Sequence, residues 1–237
     1  MVRIQTTDEQ INIYMSTLKV NAIEKKDADQ TLTVKDATLT GATLTNATIT
    51  TGTFPGKLFA GMKVFTATGT WTKPSNVTAV YVILTGAGGC GQARSSGSDR
   101  ASGGSGGGTA IKWITSGLGS TETITVGPAG NVAGTTGGTT SFGAHCSASG
   151  GGGGNQNANP NQPGVGIDGD INIRGGMGVR GHTDSFDTMG GSSYWGGGTS
   201  FGVGTNTGWV SYGAGSGDGN SGGAVSGSGI CVVYEYV

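Results

Sequence analysis

The chain has 237 residues, room for one substantial domain and an appendage, and a formal net charge of −1. That balance excludes a broad field favouring nucleic acid or an anionic membrane surface. No run approaches the roughly 20 apolar residues of a membrane span, and the opening MVRIQTTDEQINIYMSTLKV lacks the basic-then-apolar order of a secretory signal.

Residues 1–31 are mixed, with alternation in INIYM and a charged turn at EKKDAD. Residues 32–56 read LTVKD-ATLTG-ATLTN-ATITT-GTFPG, a five-residue repeat whose third position is always apolar: Val34, Leu39, Leu44, Ile49 and Phe54. Thr40, Thr45 and Thr50 follow it and favour extended backbone. One such stripe cannot close a single-chain solenoid, because it has nothing to bury against. Three copies meeting on an axis would bury it, which predicts an intertwined trimeric stem. The alternative is a strand laid on another protein.

The composition then changes. Only Gly41, Gly52 and Gly56 of the 51 glycines fall in the first sixty residues. Each fixed glycine costs roughly 0.5–1 kcal/mol relative to Ala, on the order of tens of kcal/mol in sum. An ordered chain recovers that through backbone hydrogen bonds and close backbone approach, so the glycines read as structural material. KVFTATGTW (63–71) predicts a strand, followed by a turn over Thr72–Asn76. TAVYVILT (78–85) predicts a buried strand; TAIKWIT (109–115) and TETITV (121–126) predict strands with one wet face; ICVVYEYV (230–237) predicts a final strand. Tracts 86–108, 127–154 and 155–229 are dominated by Gly, Ser and Asn, and no amphipathic helical pattern appears. The class is all-β. GGTTSFG (137–143) recurs as GGGTSFG (196–202), which makes Phe142 and Phe201 apolar anchors for glycine-rich strands, with ligand contact as the alternative.

Few motifs carry chemistry. GAGGCG (86–91) has nucleotide-loop spacing, but QARSSGSDRASGGSGGG cannot continue it as the helix that would receive a pyrophosphate. GGSGG around Ser105 matches a nucleophile elbow by chance within a Gly/Ser tract, and His145 and His182 have no acidic partner by sequence. DGDIN (168–172) opens like a calcium loop, yet Ile173 and Val179 stand where glycine and glutamate are needed, so Asp168 and Asp170 read as turn caps. His145, Cys146 and His182 lack the spacing of a closed zinc site. Asp184 and Asp187 are the closest acid couple for glycoside hydrolysis, a pairing more common in turns. The expectation is a non-enzyme with no catalytic residue, metal or cofactor. Cys90, Cys146 and Cys231 are sparse and odd in number, as expected of thiols packed in a protein folded in a reducing cytoplasm.

What remains is recognition. Unlike side chains lie between the glycine clusters: Asn157, Asn161, Arg174, Arg180, His182 and Asp184, with the aromatics Tyr194, Trp195, Trp209 and Tyr212. Aromatic faces beside amides, acids and arginines suit a glycan or a membrane-protein loop. Each aromatic could equally plug a small core.

FTATGTWTKPSNVTAVYVILTGAGGCG (65–91) resembles the opening of the glycine-rich domain of phage tail-fibre proteins, with Trp71, Pro74, Val77, Thr78 and Gly86–Gly91 on its pattern. GGTTSFG and GGAVSGSGICVVYEYV (222–237) also look like that domain, so the likeness covers about 62–237. The chain is similar in spirit to the glycine-rich adhesins of T-even-like phages, though its stem and opening strands differ and its β portion is heavier. The resemblance implies a stack of polyproline-II-like glycine strands with variable loops that bind the host surface. It implies a virion attachment segment (1–31), a trimeric β-stem (32–60) and a β-sandwich receptor-binding head with glycine-rich, polyproline-II-like loops (61–237). Implied partners are two further copies of the chain, other virion proteins at the N-terminus, and a host glycan or outer-membrane protein. The expected place is the virion, as a tail fibre or spike assembled in the host cytoplasm. Alternatives are a collar, baseplate or capsid-spike protein that binds only virion proteins, and a surface-polysaccharide depolymerase.

Overall fold

The apolar run after residue 57 does not form the single strand its composition predicts. In the computed structural model it makes two, β1 (Phe59–Phe65) and β2 (Gly69–Thr72), which enter different sheets. The break at Thr66–Thr68 is held by the Thr68 hydroxyl, which accepts the Val126 amide at 3.0 Å. The structure describes residues 57–93, 101–156, 161–181, 188–199, 210–217 and 225–237, all within the unit Thr53–Val237. The segment 1–31 and the five-residue repeat, with Val34, Leu39, Leu44, Ile49 and Phe54, lie outside them.

The other expected strands form: β3 (Ala79–Thr85), β4 (Thr109–Ile114), β5 (Thr121–Thr125) and, at the end of the chain, β10 (Ile230–Tyr236). Four more lie inside tracts without a strand signal: β6 (Thr140–Phe142), β7 (Cys146–Ala148), β8 (Gly166–Ile167) and β9 (Ile171–Ile173). Among the described residues there is no helix. The first sheet has the order β1-β10-β3-β4-β9 and the second β2-β5-β6-β7-β8, and every pairing is antiparallel.

The sheets share one core. Trp71 and Phe142 from the second sheet meet Val80, Val82, Leu84 and Val233 from the first, and the Trp71 and Phe142 rings are 5.7 Å apart. Phe142 is thus the anchor that its glycine-flanked motif predicts; Phe201 lies outside the described residues. Buried Trp71 directs its indole N–H to the carboxylate of Glu235, itself buried, at 2.8 Å. Cys146 and Cys231 pack in this core as thiols. Burial pushes the Cys146 thiol up to about 11 and Cys231 higher still.

The outward faces of the two sheets differ. Cross-strand partners share a face. On the second sheet the outward pairs are Thr70–Thr123 and Thr72–Thr121, all exposed, which is the wet face expected of TETITV. On the first, Met62, Tyr234, Tyr81 and Trp113 form one row, and Val64, Val232, Ile83, Ile111 and Ile171 the next. TAIKWIT therefore lacks the wet face expected of it. Lys112 takes the core-side position and reaches the His145 carbonyl oxygen at 2.7 Å, while Ile111 and Trp113 point outward.

Beyond β3 the glycine tracts build a second kind of structure. The amides of Gly103 and Gly106 donate to Val179 and Gly176; those of Gly104 and Gly107 to Ser216 and Gly213; those of Ser105 and Gly108 to Gly152 and Ser149. Every third residue turns to the same neighbour, which is the three-residue repeat of a polyproline-II chain. The carbonyls of this segment accept from Gly86, Gly89 and Gln92, from Gly164 and from Gly191. Six stretches therefore surround residues 102–108. A Cβ at Gly104 would stand 2.1 Å from the Gly89 carbonyl oxygen, and one at Gly107 would stand 2.0 Å from that of Gly86, so only glycine lets the chains approach this closely.

Candidate functional site

The lattice has two unlike ends, and the direction of each segment tells them apart. Residues 86–92 run away from β3, and 102–108 run back to β4, bonded from Gly86–Gly108 near the sheets to Gln92–Ser102 far from them. Six residue steps at about 3.1 Å each put the far end about 19 Å out. Residues 149–154, 175–181 and 213–217 run outward in the same way, and 161–164 and 188–192 return.

The flanks of the long connections therefore collect at the far end. Gly154 donates to Cys90, Asn155 to the Ser102 hydroxyl, Gly181 to Ala101, and the Gly91 amide to the Ser216 hydroxyl. The connections after residues 93, 156, 181 and 217 leave from around these points. Beside them lies a fully described turn, Val132–Thr135, closed by the Thr135 amide on the Val132 carbonyl at 2.9 Å, with Val132 exposed.

The candidates named from sequence divide between the ends. Asn157, His182, Asp184 and Trp209 lie outside the described residues. Arg180 is exposed at the far end, where it bridges Ser102. Asn161 is also there, but it serves the frame: its amide group donates to the Ser102 hydroxyl at 3.2 Å and its carbonyl accepts the Ser105 hydroxyl at 2.7 Å. Tyr194, Trp195 and Tyr212 lie at the opposite end, against the sheets. The Trp195 indole donates to the Thr85 hydroxyl at 2.9 Å and its ring meets Tyr194 edge-on at 5.1 Å. The Ser193 hydroxyl donates to the Tyr212 carbonyl at 2.5 Å, drawing both turns together. Tyr194 and Tyr212 keep 47% and 38% of their surface in solvent, and so are faces as well as plugs. Arg174 is exposed just past β9, also at the sheet end.

The chemical motifs resolve into structural roles. Ser105 is buried, its hydroxyl donating to Asn161 and accepting the Gly178 amide. The Asp170 carboxylate accepts the Trp113 amide at 2.8 Å, and Asp168 takes a left-handed turn at φ 58°. Among the described residues no three His, Cys, Asp or Glu side chains gather as metal ligands. The sequence hid one pair: His145 meets Glu122 at 3.1 Å, because the β6–β7 hairpin returns the histidine beside β5. Glu122 also accepts the Gly119 amide, and the thiol of the neighbouring Cys146 is turned into the core.

A scan against protein-family models finds no match for the chain, and a search of curated proteins finds no significant similarity.

Proposed function

We propose that the chain is the receptor-binding fibre or spike protein of a bacterial virus, a homotrimer that attaches the virion to a host surface glycan or outer-membrane protein. In this reading residues 1–31 dock on another virion protein, 32–60 form the trimeric stem, and 61–237 form a β-sandwich head carrying the glycine frame. The likeness of 65–91 and 222–237 to tail-fibre glycine-rich domains gives the reading its family.

The observation that carries it is the gathering of the described flanks of four connections at one end of the frame, about 19 Å from the sheets. In the central segment 102–108 a Cβ at any of the five glycines would collide with neighbouring backbone, so the varied residues lie outside it, many of them in the connections and at their roots. Such an arrangement suits recognition of an external surface. Three copies per fibre would let weak single contacts act with avidity. No catalytic step, metal or cofactor enters this reading.

The test is exchange of residues 155–221 with the matching segment of a fibre from a virus of different host range, scored by adsorption to cells with and without surface glycan or porin. Host range should follow the exchanged segment. Unchanged adsorption would point to a virion protein that contacts only other virion proteins, and a fall in the size of host polysaccharide on incubation would point to a depolymerase.

A further inference from the structure

We infer that an outer segment of the glycine frame, residues 174–181, holds an anionic polysaccharide along a row formed by Arg174, Met177 and Arg180. This rests on the attachment role proposed above and names the chemical class of a ligand and the side of the frame that takes it.

The segment reads RGGMGVRG. In a polyproline-II chain, residues three apart share a side. A Cβ at Gly175 or Gly178 would stand 2.2 or 2.1 Å from the carbonyl oxygen of Gly106 or Gly103, so this side is closed against the central segment 102–108. A Cβ at Gly176 would meet the Ser192 hydroxyl at 2.6 Å, and the Val179 amide donates to the Met189 carbonyl, so the second side follows residues 189–192. Arg174, Met177 and Arg180 make up the third side, and all three are exposed. At about 3.1 Å per residue they stand about 9 Å apart, and the two arginines about 19 Å. Backbone contacts on the other two sides hold the row in place.

The charges of this row are uncommitted. Arg174 and Arg180 are the only arginines among the described residues, and neither makes an ion pair or a side-chain hydrogen bond with them. The four described acids are engaged or lie off the row: Glu122 meets His145, buried Glu235 meets Trp71, Asp170 accepts the Trp113 amide, and Asp168 sits in the turn before β9. Met177, Val179 and Met189 are 48%, 50% and 49% exposed and set apolar surface, fit for sugar C–H groups, beside the charges. Spacing selects the class of ligand. A nucleic acid strand carries a phosphate about every 3.4 Å and is held by stacked rings, whereas this row offers two charges in about 19 Å and no ring. A polysaccharide with one anionic group per several sugars presents charges as sparse as these on an extended chain. Guanidinium forks hold carboxylate and phosphate alike through paired hydrogen bonds.

The test measures binding of the full-length chain at low salt to immobilised hyaluronan, which has a carboxylate on every second sugar, to a phosphomannan, and to neutral dextran. Polyglutamate and duplex DNA represent an acidic protein and a nucleic acid. Arg174→Gln/Arg180→Gln is compared with Lys63→Gln/Lys73→Gln, which removes the same charge from the sheets. Melting temperatures check that both fold, and the single arginine variants replace the double one if it melts lower. The expected result is binding of hyaluronan or the phosphomannan, the tighter of the two telling carboxylate from phosphate, and none of dextran. The arginine variant alone should lose about tenfold in affinity. No binding of either anionic glycan, an equal loss in the lysine variant, or tighter binding of polyglutamate or DNA overturns the inference and leaves the attachment role to the segment exchange. Glycan binding that the arginine variant loses, with adsorption to host cells unchanged, keeps the row as a site and overturns its part in attachment.

Discussion

The substitution Gly104→Ala tests whether the glycine frame is held by close backbone approach. The added methyl would stand 2.1 Å from the Gly89 carbonyl oxygen and 2.4 Å from its carbon, where an ordinary contact needs about 3.5 Å. Segment 86–92 would have to retreat by about 1 Å. Its bonds from Gly86 to Gly108 (3.0 Å), Gly89 to Ser105 (2.9 Å) and Gln92 to Ser102 (3.0 Å) would stretch or break. The central bond is buried, and losing it strands a donor and an acceptor at about 1–3 kcal/mol each. The outer two weaken in part. Against this, alanine restricts the unfolded chain, a gain of about 0.4–1 kcal/mol. The net expectation is a loss of about 3–4 kcal/mol, a large share of the roughly 5–15 kcal/mol that holds a domain folded. Gly197→Ala is the control, because nothing lies within 4 Å of its Cβ position; it should be neutral or slightly stabilising. Urea unfolding followed by tryptophan fluorescence measures both. A Gly104→Ala protein within about 1 kcal/mol of wild type would refute the account.

Three further outcomes follow from the core. Phe142→Ala should cost about 3–5 kcal/mol by equilibrium unfolding, since its fully buried ring joins the two sheets against Trp71. Trp71→Phe removes the only N–H on that side chain, the donor to Glu235, and should cost about 1.5–3 kcal/mol, with the loss shrinking in the Glu235→Gln background. Cys146 and Cys231 keep their protons in the folded state to higher pH than in the unfolded chain, so above about pH 9 the unfolded state binds fewer protons and stability falls as pH rises. The slope is at most about 1.4 kcal/mol per pH unit per thiol; it should be shallower in Cys146→Ala/Cys231→Ala, and unfolding at pH 8 and pH 10 measures it.

The sequence makes the strands of the shared core legible wherever β-branched and aromatic residues run together, as in β3 and β10, and where a lone Phe142 stands among glycines. It conceals elements whose cause is remote. The division of 63–71 depends on Thr68 meeting Val126, fifty-eight positions away. The β6–β7 hairpin has three-residue strands, too short for any alternation to register, and Gly143 in left-handed conformation turns it. That unseen hairpin is why the Glu122–His145 pair escaped notice. In the glycine segments the partners of successive amides are three different stretches of chain, and no side-chain pattern records them. One trace survives in SGGSGGG (102–108), where serine recurs at the third position because Ser102 and Ser105 alone have space for an oxygen. The candidate site shared the same blindness. Nothing in their composition separates Arg180 from Tyr194, yet the direction of the lattice chains sends one to the far end and the other to the sheets.

The two kinds of segment also differ in how they can be inherited. Where a methyl group collides with a neighbouring carbonyl, almost any single codon change is a folding defect, so the frame offers natural variation almost nothing to work with. The described turn Val132–Thr135 and the roots beside Ala93, Gln156, Gly181 and Gly217 border chain of varied composition. A lineage could rewrite those words while leaving the grammar that spaces them untouched.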